Sequence, residues 1–192
     1  HSRMQLTDIV NRRRMRHAHM VNITPQIMCE GMRADFHLVD RLSARVIDIV
    51  RGAKTIHATS PAGTDMIGTF DPALRWIKTS GLITPAKWGN LPGGEVFTTP
   101  ASVDGTFVID GVVGDWLCDR YGNLKDTPLT VQIANGRLVE AWSSNDRLRD
   151  DFWTYTHTDA ESDRVGEFAI GTNIGVEKII GHILQDEKFP GI

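Results

Sequence analysis

The sequence predicts an α+β protein in which helices come first and antiparallel β-hairpins follow. Apolar residues recur at spacings of three and four up to about Gly52, and beyond that point they alternate with polar residues. Two turn pairs, Asp104-Gly105 and Asn135-Gly136, are each flanked by alternating segments, which is typical of tight hairpins. Because the helices precede the strands instead of alternating with them, we expect an α+β arrangement and not a doubly wound parallel sheet.

The first quarter of the chain is predicted to be helical. Thr7-Asp8 can cap a helix that runs to about His19, and Thr24-Pro25 is a second start signal with proline at the first helical position. An amphipathic pattern follows, with a break near Gly31 and an end at Gly52, which suits the left-handed residue after a helix. The apolar residues that define the inward face of this helix are Leu38, Leu42, Val46, Ile49 and Val50.

The rest of the chain is predicted to be mainly strands. The expected pairs are 54–60 with 66–70, 95–102 with 106–113 around Asp104-Gly105, and 129–134 with 137–142 around Asn135-Gly136. A helix capped by residues 143–146 then runs to about residue 156, and another strand covers 167–170. We therefore divide the chain into a helical and mixed segment, residues 1–70, and a β-rich segment, residues 71–192, which carries part of the candidate site.

Composition excludes several classes of partner. The net charge of −3 and the absence of a basic stripe argue against nucleic acid, and the arginines of residues 12–16 are interpreted as a solvated helix face. No run of 18 apolar residues is present, so no membrane partner is expected. Cys29 and Cys118 lack metal-type or redox-type spacing, and we predict that they are buried thiols of a cytoplasmic protein.

The most unusual stretch for chemistry is residues 90–97, in which two glycines precede Glu95 at the start of a predicted strand. A glutamate in that place faces either solvent or a cleft. The glycines allow another backbone or a ligand to approach closely, so both interpretations stay open from the local pattern.

A second glutamate, Glu167, has the same setting, because it follows Gly166 and opens an apolar strand. The other interpretation of Glu167 is again that it is an exposed strand residue. Paired carboxylates are suitable ligands for hard divalent cations, which makes Glu95 and Glu167 candidate metal ligands. His182 is the one histidine that we keep as a possible further site residue, and the HExxH, Gly-x-Ser-x-Gly and Walker patterns are absent.

The motif NLPGGEVFTTP, residues 90–100, closely resembles the aminopeptidase T family, the thermophilic metallopeptidases of leucyl aminopeptidase type. Three further segments are similar to that family in the same order: GTD at 63–65, VGEFAIGTN at 165–173 and DEKFPGI at 186–192. The resemblance covers most of the chain from about Met28 onward.

The resemblance implies part of a two-domain metallopeptidase fold, a homodimer, and release of N-terminal residues from peptides with two divalent metal ions, Zn, Co, Mn or Mg. Glu95 and Glu167 match two of the family's glutamate ligands. The family's other ligands are a histidine of a His-Ile-Ala-x-Gly motif, a tyrosine and a His-x-Asp motif, and they follow the DEK segment. None of them has a match up to Ile192, so we expect an incomplete enzyme that lacks the C-terminal metal-ligand region, with catalytic residues unknown.

Two other functions remain open. A ring-cleaving dihydroxypyridine dioxygenase with a single iron is a distant relative on the same scaffold, and a non-catalytic interaction or dimerisation domain needs no metal. Two retained glutamates favour the dinuclear metallo-aminopeptidase, a hydrolase. The expected partners are then a peptide substrate and a second copy of the chain, with neither nucleic acid nor membrane.

Overall fold

The computed structural model describes residues 2–191 and confirms the α+β class, with helices and antiparallel sheets. The helices among the described residues are α1 (Ser2–Arg13), α2 (Pro25–Cys29), α3 (Phe36–Val50), α4 (Asp115–Tyr121), α5 (Asp146–Tyr155) and α6 (Ile183–Asp186). The strands are β1 (Ala18–His19), β2 (Thr55–Thr59), β3 (Asp65–Thr69), β4 (Ile77–Thr79), β5 (Gly89–Asn90), β6 (Glu95–Thr98), β7 (Ser102–Ile109), β8 (Leu129–Ala134), β9 (Arg137–Trp142) and β10 (Phe168–Gly171).

A five-stranded antiparallel sheet in the order β2-β3-β7-β8-β9 carries most of the core. Alternate residues of β8 point inward, as expected for a sheet with one covered face. Helix α5 covers this face with Leu148 and Phe152, which are both buried. Phe70 packs edge-to-face on Phe168 of β10, with ring centroids 5.2 Å apart, and thereby joins this core to the next sheet.

A three-stranded antiparallel sheet in the order β10-β6-β4 stands beside the first, with β6 in the centre. Helix α3 packs on β4 and β6, and its buried Ser43 shares a 2.8 Å hydrogen bond with Thr172 just after β10. A short parallel pair, β1 with β5, lies at the entrance to β6. This second sheet positions both candidate glutamates.

The two predicted tight turns have opposite outcomes. Asn135 and Gly136 join β8 to β9 with φ values of 54° and 71°, which confirms that hairpin. The prediction for Asp104-Gly105 is wrong, because both residues lie inside β7 and β6 pairs in the other sheet. A Cβ on Gly105 would lie 2.3 Å from the carbonyl oxygen of Asp65, so the glycine permits close strand pairing and does not turn the chain.

The helical predictions are confirmed in kind and corrected in extent. Thr24 caps α2 through its hydroxyl, which accepts a hydrogen bond from the Ile27 N–H, and a separate turn over Gly31–Arg33 produces the expected break before α3. Helix α1 runs from Ser2 to Arg13, so it ends before His19, and the prediction that Thr7-Asp8 caps it is wrong because both residues lie inside the helix. Helix α3 ends at Val50 with Arg51 as its C-cap, and Gly52, which follows, has no positive φ, so the predicted left-handed residue is not formed.

The inward face of α3 is rotated from the predicted one. The buried residues are Val39, Ser43 and Val50, whereas Leu38 and Ile49 are exposed. Ser43 takes an inward position because its hydroxyl is satisfied by the Val39 carbonyl and Thr172. The buried face of α3 therefore includes a polar residue, Ser43, which the spacing of apolar residues alone does not predict.

Other predictions can be compared with the described residues. Cys29 is exposed and Cys118 half-buried, so the expectation of buried thiols is wrong. The division at residue 70 stays a prediction, and the pairing of β3 with β7 crosses it. Among residues 2–191, no helix has the length and apolar character needed to span a membrane. The homodimer, the absence of nucleic-acid and membrane partners and the cytoplasmic location stay predictions.

Candidate active site

A cleft of about 410 Å³ opens over one face of the three-stranded sheet. It contains both candidate glutamates and combines aromatic and acidic walls. Its lining residues are Ile77, Thr79, Trp88, Gly89, Asn90, Glu95, Phe97, Glu167 and Glu187.

Glu95 lies at the buried end of this cleft, with 7% of its surface exposed. It is the first residue of the central strand β6, where it stands opposite Thr79 on β4 and Gly171 on β10. Its Oε1 accepts a 2.9 Å hydrogen bond from the Thr79 hydroxyl, and its Oε2 lies 2.7 Å from Nζ of Lys188. The cleft interpretation of Glu95 therefore holds, and the exposed one is excluded.

The glycines before Glu95 allow the close backbone approach that their sequence position suggests. A Cβ on Gly93 would lie 2.2 Å from the backbone nitrogen of Gly81, and one on Gly94 would lie 2.6 Å from Cβ of Asn173. Gly94 also has a φ of +125°, a conformation that favours glycine. These contacts bring Glu95 deep between neighbouring segments.

Lys188 is the residue that neutralises Glu95, and it is 1% exposed. Its Nζ also lies 2.6 Å from Oε1 of Glu187. The lysine follows α6, whose Asp186 accepts hydrogen bonds of 2.8–2.9 Å from the N–H groups of Ile180, Gly181 and His182. This ring of backbone donors fixes the turn that delivers Lys188 into the cleft wall.

Glu187 is a third carboxylate of the cleft, and its side chain keeps 38% exposure. Partial burial raises the pKa of Glu187; the ammonium of Lys188 opposes this shift, while the charge of Glu95 reinforces it. Loss of hydration disfavours the ionised form of a carboxyl group, as does a neighbouring negative charge. Glu187 is therefore easier to protonate than an ordinary glutamate.

Glu167 lines the same cleft but lies at the other end of the β6–β10 pair. The strands are antiparallel, so Gly171 stands opposite Glu95, whereas Phe168, next to Glu167, stands opposite Thr98. The two glutamate backbones are thus roughly 13 Å apart along the sheet. Burial raises the pKa of Glu167, and the charge of Glu95 adds to that effect. Glu95 and Glu167 therefore line the same cleft, but their backbones are not adjacent across the two strands.

A buried polar network joins the segments that carry the cleft. Asn173, which has no exposed surface, donates to the carbonyl oxygens of Gly31 (3.2 Å) and Gly93 (2.8 Å). Gln185, equally buried, accepts from the Gly31 N–H at 3.0 Å and donates to Glu30 at 2.9 Å. These hydrogen bonds hold together segments that are distant in the sequence, around Gly31, Gly93, Asn173 and Gln185.

His182 lies outside this cleft, in an adjoining cavity of about 260 Å³ that shares Asn90 and Glu187 with it. Its Nδ1 is buried and has no hydrogen-bond partner among the described residues. His182 is therefore a neighbour of the candidate site and does not contact Glu95 or Glu167 in any described hydrogen bond.

The residues present do not by themselves fit a metal ion. Within residues 2–191, no group of three or more His, Cys, Asp and Glu side chains is arranged to hold one. Both carboxylate oxygens of Glu95 are already bonded, to Thr79 and Lys188. The role of Glu95 and Glu167 as metal ligands stays a prediction.

Sequence reasoning missed Glu187 and Lys188 as site residues. Both stand in the 186–192 segment, which the resemblance identifies only as a shared motif. Adjacent charged residues such as Glu187 and Lys188, just before a Pro-Gly dipeptide, are usually exposed to solvent. The signal that could have found Lys188 is its place between two carboxylates, and that appears only in three dimensions.

The comparisons with known proteins identify a family. A family model described as 2,5-dihydroxypyridine 5,6-dioxygenase (NicX) matches residues 20–155, which is most of the chain. No curated protein matches.

Two solved structures share the fold. A 2,5-dihydroxypyridine dioxygenase from Pseudomonas putida KT2440 has 20% identity and a TM-score of 0.61, and the match covers 77% of this chain and 42% of that one. Wild-type AmpT from Thermus thermophilus has 17% identity and a TM-score of 0.60, with 86% and 42% covered. This chain thus spans less than half the length of either protein.

These findings correct the functional class. The family model and the dioxygenase structure point to an oxidoreductase, so the assignment as a hydrolase, aminopeptidase and protease is wrong. The likeness to AmpT at 17% identity shows a distant relation of fold. The predicted peptide substrate depended on the corrected assignment. The alternative that the sequence left open, a ring-cleaving dihydroxypyridine dioxygenase, is the one that the family model supports.

Proposed function

We propose, because the chain belongs to the 2,5-dihydroxypyridine 5,6-dioxygenase family, that it forms the substrate-binding part of an oxidoreductase that opens a dihydroxylated N-heteroaromatic ring with molecular oxygen. The observation that carries this proposal is the family match over residues 20–155. That stretch includes Trp88, Asn90, Glu95 and Phe97 of the cleft.

The cleft has the size and chemistry for such a ring. Its volume of about 410 Å³ falls within the range of small-molecule sites. Trp88 and Phe97 offer aromatic surface on which a flat ring can stack. Glu167 and Glu187 offer carboxylate oxygens that can accept hydrogen bonds from ring hydroxyl groups.

The single iron implied by the family supplies the oxygen chemistry of such enzymes. The described residues do not fit a metal ion, so we assign this chain only the binding and orientation of the ring. Because the chain spans 42% of the dioxygenase from Pseudomonas putida, we propose ring cleavage for a protein of that length and ring binding for this chain.

Binding is tested by anaerobic titration of the 192-residue chain with 2,5-dihydroxypyridine, followed by NMR of the ligand. We expect saturable binding, and none of leucinamide. Trp88→Ala should weaken it about tenfold, as expected for a lost stacking partner. Trp142→Ala is the matched control, because Trp142 lies on β9 with 43% exposure. Absent binding, or equal losses from both substitutions, would overturn the proposal.

A further inference from the structure

Two carboxylates of the cleft already have a cation between them, the ammonium group of Lys188. Nζ of Lys188 lies 2.7 Å from Glu95 Oε2 and 2.6 Å from Glu187 Oε1. These are the distances of charge-assisted hydrogen bonds. The ammonium thus lies between one buried and one partly exposed carboxylate, as a metal ion lies between the carboxylates that bind it.

A buried ammonium is stable only when opposite charges surround it, because it loses its hydration. Lys188 is 1% exposed, and Glu95 keeps 9% of its side chain exposed. Removing Lys188 would leave Glu95 buried without its counter-charge, whereas removing Glu95 would leave the ammonium with Glu187 alone. The pair is therefore a fixed part of the cleft wall.

We propose that Lys188 is the resident cation of this site and that its ammonium occupies the place between Glu95 and Glu187 that a divalent metal ion would need. While the lysine is present, these carboxylates do not bind a divalent metal. This inference goes beyond the proposed function, because it concerns the occupant of the carboxylates and not the substrate.

The backbone around Lys188 keeps this lysine in the wall of the cleft. Its N–H donates to the Gln185 carbonyl at 2.9 Å, and its own carbonyl accepts from the Asn173 N–H at 3.0 Å. One residue further, the Phe189 carbonyl packs so closely on Gly171 that a Cβ there would lie 1.7 Å away. The ammonium therefore stays within reach of both carboxylates and competes with a metal ion for them.

The first test is metal binding by the unmodified chain, with Mn²⁺ as the probe and the EPR signal of free Mn²⁺ as the readout. We expect no binding at Glu95 tighter than about 1 mM. Binding in the micromolar range that Glu95→Gln abolishes would overturn the inference. Because no substrate is present, this result is independent of dihydroxypyridine binding.

The second test removes the resident cation. Lys188→Gln leaves Glu95 and Glu187 without their ammonium, and we expect Mn²⁺ to bind at least about tenfold more tightly than in the unmodified chain. The additional substitution Glu95→Gln should remove that gain. Lys178→Gln is the control, because Lys178 is 67% exposed and pairs with Glu30 outside the cleft.

A folded Lys188→Gln chain without tighter Mn²⁺ binding would contradict the inference. Folding is checked by circular dichroism. Lys188→Met, which keeps an unbranched apolar stem, replaces Lys188→Gln where the latter does not fold. Should neither fold, the titration of the unmodified chain decides the question by itself.

Discussion

Asn173 is the residue whose loss should most clearly loosen the cleft. Its side chain donates to the carbonyls of Gly31 and Gly93 and accepts from the Gly175 N–H at 2.9 Å. Asn173→Ala removes all three hydrogen bonds and leaves two carbonyls and one N–H without this partner. The perturbation therefore acts on the segment that leads directly to Glu95.

The expected loss follows from the number and quality of these bonds. A buried polar group left without its partner costs about 1–3 kcal/mol. One of the three bonds is long, at 3.2 Å, and Gly175 is only half-buried, so values near the lower limit apply. We expect Asn173→Ala to lower the free energy of unfolding by about 3 kcal/mol, a large part of the stability of a typical domain.

Urea unfolding followed by circular dichroism measures this loss. Asn123→Ala is the control, since its Oδ1 accepts one exposed local hydrogen bond, from the Lys125 N–H at 2.9 Å. It should change the free energy of unfolding by no more than about 0.5 kcal/mol. A loss below about 1 kcal/mol for Asn173→Ala would show that the network does not hold the cleft segments together.

Two further substitutions test the packing and the hairpin. Gly171→Ala would place a Cβ 1.7 Å from the Phe189 carbonyl oxygen and should lower the thermal midpoint sharply. Gly166→Ala is the control, because there is open space around Gly166, and it should leave the midpoint unchanged. Equal midpoints for the two variants would refute the close approach. The Asn135 N–H donates to Asp104 and lowers the pKa of that carboxyl group, so its stabilising effect is present above about pH 4 and is lost as the pH falls through the lowered pKa. Asp104→Ala should therefore reduce the thermal midpoint more at pH 7 than at pH 2, and an equal reduction at both pH values would contradict this.

Local signals predicted much of the secondary structure. The cap at Thr24, the hairpin at Asn135-Gly136 and the helix that begins after Asn145 follow from hydrogen bonds and φ values within a few residues. Such features depend mainly on neighbouring residues, although the Asn135 turn is also held by Asp104. They are confirmed because the distant contact that is present, from Asp104 to the Asn135 turn, supports the local preference.

The same kind of signal failed at Asp104-Gly105, where distant contacts compete. Gly105 stands opposite Met66 and Ile133 in the middle of the five-stranded sheet. The turn propensity of the dipeptide is outweighed by pairing on both sides of the strand, and Asp104 instead caps the Asn135 turn. A dipeptide cannot reveal which of these roles it will take.

The candidate site shows the same division. The glycines before Glu95 predicted a close backbone approach from sequence alone, because only glycine tolerates it. The choice between the two classes of enzyme could not be made from the motifs: the dioxygenase stayed an alternative until the family model matched, and this chain shares its fold with both a dioxygenase and AmpT.

The sequence alone therefore determined the order of helices and strands, the local caps and one turn, and it selected Glu95 as a residue in a special setting. Only the tertiary structure decided that Glu95 is paired with Lys188 and that Glu167 lies at the far end of an antiparallel strand. The physical reason is that periodicity and turn chemistry act over a few residues, whereas an ion pair and a strand register are formed by segments that meet only when the chain has folded.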